Sequence, residues 1–145
     1  MAIHDAVPTL AAHCEGVGRP ARARGLAVEI PVPLLAGDDR MIGPFLRNGA
    51  VGAITVIGNL VPAEVARFVA AVLANDRGAD ALERGLAPLV DALRVDGNPV
   101  PIKTALSALE AIRVEIRAPL APLSDRKKAA LQRALTLARL LVPAG

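Results

Sequence analysis

Val32-Pro33-Leu34-Leu35-Ala36-Gly37-Asp38-Asp39 and the later run Gly52-Ala53-Ile54-Thr55-Val56-Ile57 decide how this chain folds. Each is a short apolar run without polar alternation, the pattern of a strand buried on both faces. Val32 to Ala36 is therefore expected as one strand, ended by the Gly37-Asp38-Asp39 turn, whose acids can also cap a helix. Between the runs, Met41, Ile42, Phe45 and Leu46 share one helical face, Gly43-Pro44 should shorten or bend that helix, and Gly49 should stop it. Gly52 to Ile57 is the second strand. Two such strands joined through a helix form a βαβ unit with parallel strands, so the fold class is α/β.

Beyond Pro62 the pattern is helical. Pro62 suits a first helical position, and Val65, Phe68, Val69, Val72 and Leu73 repeat as one stripe until Asn75-Asp76. Leu82, Leu86, Leu89, Val90 and Leu93 form the next stripe, with a kink expected at Gly85 and Pro88 and an end at Gly97-Asn98-Pro99. Pro101 opens a helix with Ile102, Ala105, Leu106, Leu109 and Ile112 inward. Ser124 should cap a last helix carrying Leu131, Ala134, Leu135, Ala138 and Leu141. Residues 1–30 carry little periodicity, although Ala27 to Ile30 could serve as a further strand. The domain reading is a divergent segment 1–30, βα units over 31–76 and a helical extension over 77–145.

Composition removes several function classes. The 145 residues fit one domain and fall short of the roughly 250 that a whole eight-stranded α/β barrel needs. Aromatics are 1% of the chain, with no Trp or Tyr, so base- and sugar-stacking surfaces are excluded. The net charge of +3 reflects a scattered surplus, and Arg19, Arg22 and Arg24 do not form the clustered stripe that nucleic acid requires. Mean hydropathy is +0.44, yet the longest uncharged run, Asn48 to Ala63, is broken by Gly and Pro and is too short for a membrane span. The N-terminus has no basic flank of a secretory signal, and the lone Cys14 suits a reducing, cytoplasmic setting.

Few residues could carry chemistry. His4, His13 and Cys14 are the soft ligands, and their spacing matches no zinc pattern, so neither metal nor cofactor is expected. No Ser lies in a nucleophile elbow. Asp38 and Asp39 stand at the carboxyl end of a parallel strand, where α/β folds place their sites, although helix capping and dipole complementation is the plainer reading. Lys103 is the one lysine outside the Lys127-Lys128 pair and hence the candidate for a Schiff-base amine, with a salt-bridge role as the plainer reading.

Four strings in order carry a resemblance: Leu34 to Asp39; Gly49-Ala50-Val51-Gly52-Ala53-Ile54-Thr55-Val56 with Asn59; Asn98-Pro99-Val100-Pro101-Ile102-Lys103; and Arg117-Ala118-Pro119-Leu120-Ala121-Pro122-Leu123-Ser124. From about Leu34 to Leu141 the chain resembles the C-terminal half of the dihydrodipicolinate synthase family, within the N-acetylneuraminate lyase superfamily. The Asn-Pro-Val-Pro-Ile-Lys string favours the synthases.

The resemblance implies a partial (β/α)8 barrel, its last two strands followed by a C-terminal helical extension. Family members are lysine-dependent lyases that condense pyruvate with aspartate semialdehyde on the way to lysine and diaminopimelate. By that likeness Gly37 lies beside the pyruvate pocket and Ile54 is the strand-eight isoleucine whose backbone contacts pyruvate. The family's Schiff-base lysine, on strand six, would fall near Ala12, and no lysine precedes Lys103. The expectation is a truncated synthase-like chain, inactive alone, binding pyruvate only if its pocket is completed. The alternative is a non-catalytic half-barrel that pairs with a second copy or a partner chain, because a two-stranded sheet leaves open edges.

Overall fold

The computed structural model describes residues 21–22, 29–30 and 33–140. The chain divides into two compact units, the first taking in 1–55 and 68–79, the second 56–67 and 80–145.

In the first unit, β1 (Ala21–Arg22) pairs antiparallel with β2 (Glu29–Ile30), while β3 (Leu35–Ala36) pairs parallel with β4 (Gly52–Ala53). The two ladders are separate sheets. The alternative in which Ala27 to Ile30 serves as a further strand of the parallel pair is not met in its described part, because Glu29–Ile30 finds its partners in β1; Ala27 and Val28 lie outside the described residues. Between β3 and β4 a 3-10 turn (Asp39–Met41) leads into α1 (Ile42–Arg47). Pro44 falls in the first turn of α1, where its missing N–H has no intrahelical partner to lose. Asn48 occupies the C-cap and Gly49 follows at φ 99°, a left-handed backbone that favours glycine, so the helix stops where expected.

Both strands are shorter than their apolar runs. A strand pair has ladder partners only where the two chains overlap, and beyond Ala53 the one further bond is from the Ile54 N–H to the Ala36 carbonyl, 2.8 Å. Val56 is already helical, and Ile57–Asn59 forms a 3-10 turn, so β-branching in Ile54 to Ile57 does not extend the sheet. Val32 lies outside the described residues. The two faces also differ, contrary to the expectation that both are buried. Ala36 is fully buried and α1, with Ile42 and Leu46 inward, packs against both strands, whereas Leu35 is 44% exposed.

Downstream lie α2 (Pro62–Leu73), α3 (Ala79–Ala92), α4 (Val100–Ala108) and α5 (Asp125–Leu137). Val65, Phe68 and Val72 of α2 are buried, but Leu73, expected inward, is 48% exposed at the helix end, and the chain reverses through Asn75 at φ 54°. The helix α3 is continuous through Gly85 and Pro88, and it buries Leu89 and Val90 while Pro88 faces solvent. It ends at Ala92, ahead of Gly97-Asn98-Pro99. In the second unit α4 packs on α5 and on the 57–59 turn, burying Ile57, Val100, Ile102, Ala105, Leu131 and Leu135. Leu106 and Leu109 are half-buried, and Ile112 is excluded from the stripe because Glu110 turns at φ 57° and leaves it 39% exposed. Ser124 holds the N-cap position of α5 without a side-chain bond, its carbonyl accepting from Lys128 N–H instead. Ala138 is exposed, and Leu141 lies outside the described residues. No helix among the described residues is long and apolar enough to cross a membrane.

Candidate functional site

The register Leu35↔Gly52 and Ala36↔Ala53 makes Gly37 and Ile54 the next residues out on the two strands, side by side at the carboxyl end of the parallel pair. This edge is where α/β sheets present ligands. Its geometry limits what each residue can offer. The Ile54 N–H is committed to the Ala36 carbonyl, so the backbone group that Ile54 can turn to a ligand is its own carbonyl, an acceptor for a hydroxyl or an N–H but not for a carboxylate. The Ile54 side chain is 70% exposed. A Cβ built on Gly37 would meet no atom within 4 Å, so the glycine stands against open space.

The two acids behind Gly37 do different things. Asp38 has an extended backbone and its carboxylate accepts from the Arg40 N–H at 2.9 Å, capping the 39–41 turn, as the capping reading expects. Asp39 accepts from the Thr55 hydroxyl at 2.6 Å, a contact between part-buried side chains that ties the loop after β3 to the residue following Ile54. Thr55 was not singled out from sequence. Its signal was a hydroxyl directly after the Gly-Ala-Ile string, one step past an acidic turn on the neighbouring strand.

Lys103 belongs to α4 in the second unit. Its Nζ donates to the Glu115 main-chain carbonyl at 2.9 Å, so the expected carboxylate partner is replaced by a carbonyl. Lys127 and Lys128 are also in the second unit, and the first unit contains no lysine. Lys127 Nζ meets the Asp96 carboxylate at 2.7 Å. That hydrogen bond, with a second from the Gly97 N–H, holds the Asp96 carboxyl below its ordinary 3.8. Among the described residues no group of three His, Cys, Asp or Glu could hold a metal. His4, His13 and Cys14 lie outside them.

The chain is similar to known proteins. Residues 22–138 match the model of the dihydrodipicolinate synthetase family, so the match begins ahead of Leu34. The 4-hydroxy-tetrahydrodipicolinate synthase of Pelobacter propionicus is 39% identical over 101 residues, 69% of this chain and 35% of that protein. The crystal structure of dihydrodipicolinate synthase from Aquifex aeolicus superposes with a TM-score of 0.80 at 29% identity, covering 97% of this chain and 51% of its own. A chloride-inhibited synthase from Acinetobacter baumannii, solved in complex with pyruvate, gives a TM-score of 0.73 at 31% identity, covering 77% of this chain and 38% of its own. The chain thus spans between a third and about half of the proteins it matches.

Proposed function

The chain belongs to the dihydrodipicolinate synthetase family, and from that premise we propose that it carries the pyruvate-facing backbone edge of a lysine-dependent lyase without the amine that captures pyruvate. The observation that supports this most is the register that sets Gly37 beside Ile54 at the carboxyl end of β3 and β4. In this reading the Ile54 carbonyl accepts a hydrogen bond from the adduct of pyruvate, and the Asp39–Thr55 contact keeps the two loops in step. Residues 31–76 are the last βα units of the barrel and 77–145 its helical extension, in a cytoplasmic protein.

Covalent capture needs a lysine nitrogen to attack the ketone carbon of pyruvate and expel its oxygen as water, leaving an imine. The first unit has no lysine to do so. Lys103 is a poor substitute, since its nitrogen is bonded to the Glu115 carbonyl. The chain alone is therefore inactive. Incubation with pyruvate and borohydride, followed by intact-mass measurement, should leave its mass unchanged; a stoichiometric adduct on Lys103 would overturn this reading. The exposure of Leu35 and Ile54 on the strand pair favours a second reading, in which the half-barrel serves to bind another chain.

A further inference from the structure

We propose that the groove between α4, α5 and the connector joining them is a binding site for a small monocarboxylate with an apolar body, its carboxylate held by Lys128. The groove lies wholly within the second unit, and the proposal stands apart from the reading of Gly37 and Ile54.

Helical spacing builds the groove. Lys128 and Gln132 are one turn apart on α5, and Leu131 and Leu135 repeat beside them, so one face of this helix offers a polar rail next to an apolar one. Both leucines are buried where α4 packs on α5, and they form the floor. From α4 come Thr104 and Ser107. The third wall is Val114 of the connector. Its neighbour Glu115 has its main-chain carbonyl fixed by the Lys103 ammonium at 2.9 Å, so this wall is set in place before a ligand arrives.

The lining sorts occupants by charge. It holds one ammonium and no carboxylate, which selects for a single negative charge. Asp125 comes within 3.7 Å of Lys128, but it is fully exposed, and a solvated pair of this kind is readily exchanged for a ligand carboxylate. The Ser107 hydroxyl and the Gln132 amide add neutral donors, and among the described residues neither side chain is committed to another hydrogen bond. Thr104 spends its hydroxyl hydrogen on the Val100 carbonyl at 2.8 Å and so is no donor here. A phosphate dianion would call for a second cation, which the lining lacks.

Size sets the body of the ligand. The groove holds about 200 Å³. A cavity of about 150 Å³ takes benzene, so the occupant has roughly six to nine non-hydrogen atoms. Its carbons lie against Leu131, Leu135 and Val114, while the carboxylate stays with the polar rail.

Hexanoate falls in that range and is the probe. Methyl NMR of the full 145-residue chain should show saturable shifts of Val114, Leu131 and Leu135. The dissociation constant should be on the order of 1 mM, as suits so small a ligand. Hexanamide, the neutral isostere, and acetate, which lacks the apolar body, should each bind at least ~5-fold more weakly. Lys128→Met keeps the stem without the charge and should weaken hexanoate by ~5-fold, and Lys128→Arg should restore most of the affinity. The Lys128 side chain is 44% exposed, so circular dichroism of both variants should match the parent. The proposal is overturned by no saturable shift at roughly ten times the expected constant. It is overturned equally if hexanamide, acetate or inorganic phosphate matches hexanoate at these methyls, or if Lys128→Met binds hexanoate like the parent.

Discussion

Replacing Thr55 by valine keeps the shape of the side chain and removes only the hydroxyl that reaches Asp39 across 2.6 Å. A hydrogen bond to a charged group is worth about 1.5–3 kcal/mol, but both partners are part-buried and water can replace the lost donor, which brings the expected cost to ~1 kcal/mol. Thr55→Ser retains the hydroxyl and should lose no more than ~0.5 kcal/mol. Urea melts of Thr55→Val, Asp39→Ala and the double variant should give a coupling of ~1 kcal/mol, well outside the ~0.3 kcal/mol expected of independent sites. The local consequence is sharper. The Ile54 N–H bonds to Ala36 immediately beside this contact, so its amide exchange should quicken by ~5-fold in Thr55→Val, the factor that ~1 kcal/mol implies. A coupling indistinguishable from zero together with unchanged Ile54 exchange would refute the idea that this contact holds the strand ends in register.

The remaining expectations need less development. Leu135→Ala, at a fully buried position on α5, should lower stability by about 2–5 kcal/mol, whereas Leu137→Ala two residues on, 84% exposed, should stay within about 0.5 kcal/mol of the parent; thermal melts compare them. Gly49→Ala forces a Cβ onto backbone at φ 99° and should cost about 1–3 kcal/mol in the same assay. Because Lys127 and Gly97 lower the folded pKa of Asp96 below 3.8, the unfolded chain takes up this proton first as pH falls. The stabilisation is therefore present above 3.8 and lost as pH drops through the lowered folded value, so urea melts of Asp96→Asn and parent should differ at neutral pH and converge at the acid end.

What sequence conveyed followed from how local each signal is. The stripe in α2 and its Pro62 start depend on residues a turn apart, and the structure buries Val65, Phe68 and Val72 as expected, leaving Leu73 exposed at the helix end. The stripe continued to Ile112 failed because Glu110 takes a left-handed backbone, which hydrophobic spacing does not encode. Strand lengths failed for a related reason: Ile54 to Ile57 are strong strand formers, but pairing depends on how far the partner strand reaches. The proposal for Gly37 and Ile54 came through the family strings rather than through their chemistry, since backbone carbonyls leave no mark in side-chain identity. The Asp39–Thr55 bond joins segments that follow two different strands, so it needs the register before it can be seen.

The Lys103–Glu115 bond has a bearing on how the chain ages in the presence of peptidases. The stretch 109–124 between α4 and α5 is almost wholly exposed and non-helical, with Arg113 and Arg117 two residues to either side of the carbonyl that Lys103 holds. A trypsin-like enzyme must draw several residues around the cut into an extended strand in its cleft, and either arginine carries Glu115 into that window. Cleavage therefore waits for the ammonium to let go. Acetylation of Lys103 would remove the positive charge and two of the amine's three hydrogens, turning a latched connector into a nick site while leaving the helices on both sides in place.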